Sequence, residues 1–210
     1  MPNLTNINQA KLYKDEEIEI QTHDLGHNLK VAYGVVPYWK QLKIKELIEE
    51  YKKNNPHSFS SNVKSWHSFP MLHEQDPRFN SVIQICADFI YKYKGKDKFP
   101  GPLALANCWC MEYVKGDFAV EHEHWPISMV CSYYAGVDGD SSPLKFSDGF
   151  EIEPKNGMII AFEGLMFHSV APTKSNRYAL AMNFMITSPS SFPIVHPLDG
   201  QFNLSPQFLG

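Results

Sequence analysis

From Leu103 onward the chain breaks into short β-favouring runs separated by turn residues, and this texture constrains the fold more than any other feature. The runs lie near 104–114, 118–124, 128–135, 143–146, 150–153, 158–163, 167–171 and 177–187. Gly136-Val137-Asp138-Gly139-Asp140 and Lys174-Ser175-Asn176 supply turns between them. Eight short strands with such signals favour a jelly roll or double-stranded β-helix. In the last run, period-two alternation puts Arg177, Ala179, Ala181 and Asn183 on one face and Tyr178, Leu180, Met182 and Phe184 on the other. Small residues beside the arginine leave room for a ligand inside such a barrel.

Upstream the rhythm is helical. Val35-Val36-Pro37 leads into a stretch with Trp39, Leu42, Leu47, Ile48 and Tyr51 near i, i+3, i+4 spacing, ending near Asn54-Asn55-Pro56. A second helix is predicted over 78–94, where Val82, Ile85, Cys86, Phe89, Ile90 and Tyr93 form one apolar stripe. Residues 1–30 are polar and mixed, and are read as a loose start followed by one or two edge strands. The tail after 187, with Pro189, Pro193, Pro197 and Pro206, reads as an extended wrap over the barrel. The expected class is therefore mainly β with supporting helices: a double-stranded β-helix (jelly roll, cupin-like) barrel with N-terminal helices packed on one sheet. With 210 residues, the chain is long enough for one substantial core. It is expected to be a single domain over 1–210, with 1–102 as a helical support region, 103–187 as the β-helix core and 188–210 as a C-terminal extension.

Composition narrows the function classes. Basic residues are scattered and the formal net charge is −4, which argues against nucleic acid as a partner. No apolar run approaches the roughly 20 residues of a membrane span, and the N-terminus carries no signal-peptide pattern, so the expected location is cytoplasmic. Cys86, Cys108, Cys110 and Cys131 sit in apolar or aromatic stretches without zinc-ribbon spacing, and read as buried reduced thiols.

The chemistry concentrates around His122-Glu123-His124. On a strand spanning 118–124 the two imidazoles share one side, while Glu121 and Glu123 turn outward to solvent. A third imidazole, His168 on a neighbouring strand, would close a three-ligand face around a first-row metal and leave the opposite positions open for chemistry. A chain with nine histidines can produce a close pair by chance, so the argument rests on the order of the whole set, including Arg177. Zinc is the competing metal for three histidines.

Before the pair stands Tyr113-x-x-Gly116-Asp117; after it come Gly157-Met158-Ile159-Ile160-Ala161-Phe162, Phe167-His168-Ser169-Val170 and Arg177-Tyr178-Ala179. This order resembles the Fe(II)/2-oxoglutarate-dependent oxygenases, in particular their prolyl 4-hydroxylase-like members and the small oxygenases common in phage and bacterial genomes. The spacing of Tyr113, Gly116 and His122 matches the prolyl 4-hydroxylase-like pattern, and the resemblance covers about 105–187. It implies Fe(II) held by His122, His124 and His168, 2-oxoglutarate as cosubstrate with its distal carboxylate on Arg177 and Tyr113, and dioxygen and a further substrate as partners. The expected reaction is hydroxylation of that substrate with release of succinate and CO2. Two positions depart from the family pattern. His124 stands where an Asp or Glu is usual, so three neutral imidazoles leave the full charge on the metal. Ala179 stands where related proteins carry a Ser that helps hold the oxo acid. Asn107 and Trp109 are read as possible wall residues.

Two other readings compete. A cupin-like metal enzyme, another dioxygenase or an isomerase, would share the barrel without the oxo-acid site. A non-catalytic jelly-roll binding protein would leave the three histidines and the arginine without a task. The prime substrate is set by loops outside the shared motifs, and residues 55–77, with His57, Trp66, His67, Phe69 and His73, are read either as a lid over the mouth or as a packed connection.

Overall fold

The computed structural model describes residues 17–59, 62–95 and 101–187. The expected loose start over 1–16 and the proline-containing tail after 187 lie outside the described residues.

A hairpin of β1 (Gln21–Gly26) and β2 (Leu29–Val35) opens the described chain. Its turn places Gly26, His27 and Asn28 at positive φ. Only β1 is an edge strand, because β2 also pairs with Met158–Ala161. β1 is thus an edge strand of the kind expected before residue 30, while the pairing of β2 draws Val35, expected to lead into a helix, into the sheet. The first helical stretch is broken: α1 (Trp39–Leu42) and α2 (Ile44–Asn54) meet at Lys43, which is left-handed at φ 52°. β3 (Val63–Lys64), β4 (Trp66–His67) and the short α3 (Leu72–Gln75) follow. The described part of 55–77 is thus a packed connection that reaches the edges of both sheets: β3 pairs with residues 118–119 and β4 with 111–112. A 3-10 turn (Pro77–Phe79), begun by Asp76 accepting from the Arg78 N–H, delays the second long helix, α4 (Asn80–Lys94), by two residues.

The remaining strands fall close to expectation: β5 (Leu103–Tyr113), β6 (Phe118–His122), β7 (Met129–Val137), β8 (Leu144–Phe146), β9 (Glu151–Ile152), β10 (Met158–Glu163), β11 (His168–Val170) and β12 (Arg177–Ile186). They form a major sheet in the order β1-β2-β10-β7-β12-β5-β4 and a minor one in the order β3-β6-β11-β8-β9. All strand pairs are antiparallel.

The major sheet has two buried faces. Its outer face carries Leu105, Cys108, Cys131, Tyr133, Leu180, Met182 and Phe184 against Ile48, Val82, Cys86 and Ile90 of the helices. Its inner face, with Met111, Val130, Ile160, Ala179 and Ala181, meets Ala119, Phe146 and Val170 of the minor sheet. All four cysteines are buried and unbridged. Gly157 fixes the helices to the barrel: it sits at φ +76°, and a Cβ there would lie 2.4 Å from that of Trp39. Among the described residues no helix is long and apolar enough to cross a membrane.

Candidate functional site

Strand pairing brings the first and third histidines together. His168 lies opposite His122 in the minor sheet, and a register irregularity follows before Val170 meets Ala119. His124 arrives by a different route from the one alternation suggests. β6 stops at His122, so His124 belongs to the loop beyond it. Its backbone N–H donates to the Gly164 carbonyl at 2.6 Å, and the Gly164 N–H donates to the Ser128 carbonyl at 3.2 Å. Residue 164 must be glycine for this approach, because a Cβ would stand 2.0 Å from the Ile127 carbonyl oxygen. The loop thus does what the strand was expected to do. One ring nitrogen from each of His122, His124 and His168 lies within 4.8 Å of the others, a spacing that can hold a metal ion.

The outward nitrogens of two rings are fixed. His122 Nδ1 lies 2.7 Å from the Val120 carbonyl and His168 Nδ1 lies 2.9 Å from that of Met166. A carbonyl only accepts, so each Nδ1 carries the hydrogen and each Nε2 keeps its lone pair for the centre. Burial, reinforced by the neighbouring rings, pushes His168 down to about 3. Burial and His122 bring His124 to about 4. Both are neutral donors at physiological pH, the form a divalent first-row ion takes. Glu121 is exposed, and the Glu123 carboxylate accepts from the Trp125 N–H of its own loop.

The same cavity is lined at its other end by Arg177, Tyr113 and Tyr134, with Ala179 and Ala181 between. Arg177 is 2% exposed, and among the described residues no carboxylate lies within ion-pair distance of it. Its Nη1 donates to the Ser142 carbonyl at 2.9 Å, and its Nε has no partner. The guanidinium carbon stands 4.3 Å from the Tyr113 ring centre and 5.6 Å from that of Tyr134. Burial raises the Tyr113 phenol to about 12 despite the nearby positive charge, so it remains a neutral donor. A buried cation normally comes with a carboxylate, because leaving water costs several kcal/mol per ion. The aromatic faces and one carbonyl offset only part of that cost.

The structure therefore brings all five expected residues, His122, His124, His168, Arg177 and Tyr113, to one cavity. Trp109 lines it as well, stacked near His124 with ring centres 6.4 Å apart; Asn107 does not line it. Sequence reasoning passed over Ser132 and Tyr134, which alternate with Cys131, Tyr133 and Ala135 along β7 and face the cavity. A serine within an apolar run was the available signal.

No protein-family model matches the chain, and no curated protein sequence does. Solved structures match in fold. A prolyl-4-hydroxylase from Pseudomonas putida superposes with TM-score 0.56 at 14% identity, over 75% of this chain and 93% of that one. A viral collagen prolyl hydroxylase from Paramecium Bursaria Chlorella virus-1, solved as a 2-oxoglutarate complex, gives 0.56 at 16% identity, over 74% and 96%. HygX from Streptomyces hygroscopicus, solved with nickel and 2-oxoglutarate, gives 0.54 at 11% identity, over 74% and 83%. The architecture is the double-stranded β-helix of the 2-oxoglutarate oxygenases.

Proposed function

We propose that this chain is a non-heme Fe(II)- and 2-oxoglutarate-dependent oxygenase. In this reading it hydroxylates a prime substrate while converting 2-oxoglutarate to succinate and CO2. The observation that carries the reading is Arg177, a buried guanidinium with no carboxylate partner among the described residues, at the far end of a cavity whose other end presents three imidazoles. A dianionic oxo acid matches both ends at once.

His122, His124 and His168 hold the metal, and imidazole nitrogens suit Fe(II). When bound, Fe(II) supplies dioxygen activation, which no side chain offers. Arg177 forks onto the distal carboxylate of 2-oxoglutarate, and the Tyr113 phenol donates to the same group. Ala179 and Ala181 keep the passage between the two ends open, and Tyr134 stands where it can supply the hydroxyl that Ala179 lacks. The similar structures include prolyl hydroxylases and a protein solved with hygromycin B bound, so the shared fold leaves the choice of prime substrate to loops around the mouth. A cupin-type metal protein would have no use for a guanidinium at this depth.

The test is anaerobic titration with Fe(II) followed by 2-oxoglutarate, and then succinate release in air. Wild type should bind one equivalent of each and form succinate slowly without prime substrate. Arg177→Ala should keep the metal and weaken 2-oxoglutarate about ten- to a hundredfold, as expected for a charge-assisted bond of roughly 1.5–3 kcal/mol. Pyruvate bound as tightly as 2-oxoglutarate would favour the cupin reading instead.

A further inference from the structure

His124 differs from its two partners in what stands behind it. His122 and His168 each donate an outward N–H to a main-chain carbonyl two residues earlier. Asn183 stands on the inner face of β12, next to Phe184, whose carbonyl takes the Ser128 N–H of the loop that carries His124. Asn183 is 6% exposed, and its amide oxygen is buried without a hydrogen-bond partner. An unmade hydrogen bond at such a group costs about 1–3 kcal/mol, so a conformation that supplies a donor is favoured.

The loop holding His124 is docked at this point of the strand. The Ile127 N–H donates to the His124 carbonyl at 2.7 Å, the Ser128 N–H to the Phe184 carbonyl at 3.1 Å, and the Ile186 N–H to Ser128 Oγ at 3.0 Å. On its flank the His124 ring lies nearly parallel to Trp109, at 12°. Trp109 pairs with Ala181 and Asn107 with Asn183, so the Asn183 amide occupies the inner-face position next to the indole that flanks the His124 ring.

We infer that Asn183 is a positioning residue for His124: its amide oxygen accepts the ring N–H turned away from the metal, which fixes the tautomer that leaves the other nitrogen free to bind. The inference rests on the metal reading above. It also explains why the departure from a carboxylate at position 124 is not a single-residue matter. A carboxylate ligand has no N–H to place, whereas an imidazole there has one, for which the Asn183 amide oxygen is the acceptor.

Co(II), which substitutes for Fe(II) without oxidising in air, is the probe, read by titration and by its visible absorption bands. Asn183→Leu should weaken Co(II) about ten- to a hundredfold and shift the bands, the usual effect of losing an outer partner of a ligating histidine. Asn183→Asp, which keeps an oxygen acceptor, should bind at least as tightly as wild type. In a His124→Asp background, Asn183→Leu should change neither affinity nor spectrum, which a general packing defect would not spare. If Asn183→Leu does not fold, Asn183→Ala is read in the same way. Wild-type affinity and spectrum in Asn183→Leu, or an equal loss in both backgrounds, overturns the role of Asn183 and leaves the metal site standing. If His122→Ala and His168→Ala bind Co(II) like wild type, the metal reading fails and the positioning role with it.

Discussion

The two faces of β12 lie on one ten-residue strand and are buried almost equally, yet they are built differently. Outward, Tyr178, Leu180, Met182 and Phe184 close against the helices, and the hydroxyl among them, that of Tyr178, is satisfied by donating to Glu112 Oε1 at 3.3 Å. Inward stand Arg177, Ala179, Ala181 and Asn183: a cation and an amide oxygen that, among the described residues, have no counter-ion and no hydrogen-bond partner respectively, and between them two small residues beside open space. Burial by itself does not separate a stabilising face from a working one; the account of polar groups does. A second arginine makes the contrast plainer. Arg78 stands half in solvent and pairs with both Asp76 and Glu50, an arrangement that asks for no ligand.

The contrast can be broken most directly on the outer face. Phe184→Ala should cost about 3–5 kcal/mol in denaturant unfolding, the range for truncating a buried aromatic ring. A loss under about 1 kcal/mol would mean the helices do not stabilise this face. Proton linkage comes next. Burial holds His67 and His73 at about 4, below the 6.5 of an exposed histidine. The unfolded chain therefore binds more protons between those values. Stability should be full above pH 6.5 and fall as pH drops toward 4, by up to about 3 kcal/mol for each such ring. Metal-free His124 and His168 should add their own loss in the same direction and extend it toward pH 3. Flat stability from pH 6.5 to 4.5 would show that the rings protonate in place. Arg177→Met tests the inner face: replacing an unpaired buried charge by an apolar chain should leave the ligand-free protein unchanged or more stable, by about 1–4 kcal/mol, while weakening 2-oxoglutarate about ten- to a hundredfold. Destabilisation there would make Arg177 a structural residue. The smallest effect is expected at Arg78, where Arg78→Ala should cost about 1 kcal/mol or less because solvent screens the pairs.

Much of this was legible in one dimension because strands carry a period of two. The eight strands from 103 onward, and the division of β12 into its two faces, follow from alternation alone. The histidines and the arginine were singled out by their order along the chain and by the family resemblance, not by alternation. What escaped depends on distant partners. β2 is interior only because residues 158–161 come back beside it, more than a hundred positions later. The break at Lys43 uses a left-handed backbone that a lysine gives no reason to expect. His124 was placed on the right side by an argument about a strand that ends two residues too early; the hydrogen bond to Gly164 holds it there instead. The face of Tyr134 and Asn183 could be read from alternation, but which ring or guanidinium each would meet could not.

The bond between the His124 loop and Gly164 has a thermodynamic consequence. The chain segments that carry His124 and His168 are joined through main-chain contacts, so their separation is set before any ion arrives. An ion entering such a cage repays no loop-closure entropy, and one leaving it takes little folding free energy away. Chelation should then yield a folded apoprotein that reloads without refolding. In a cage that does not adapt its shape to the ion, and whose three donors are alike, occupancy follows relative affinity and supply.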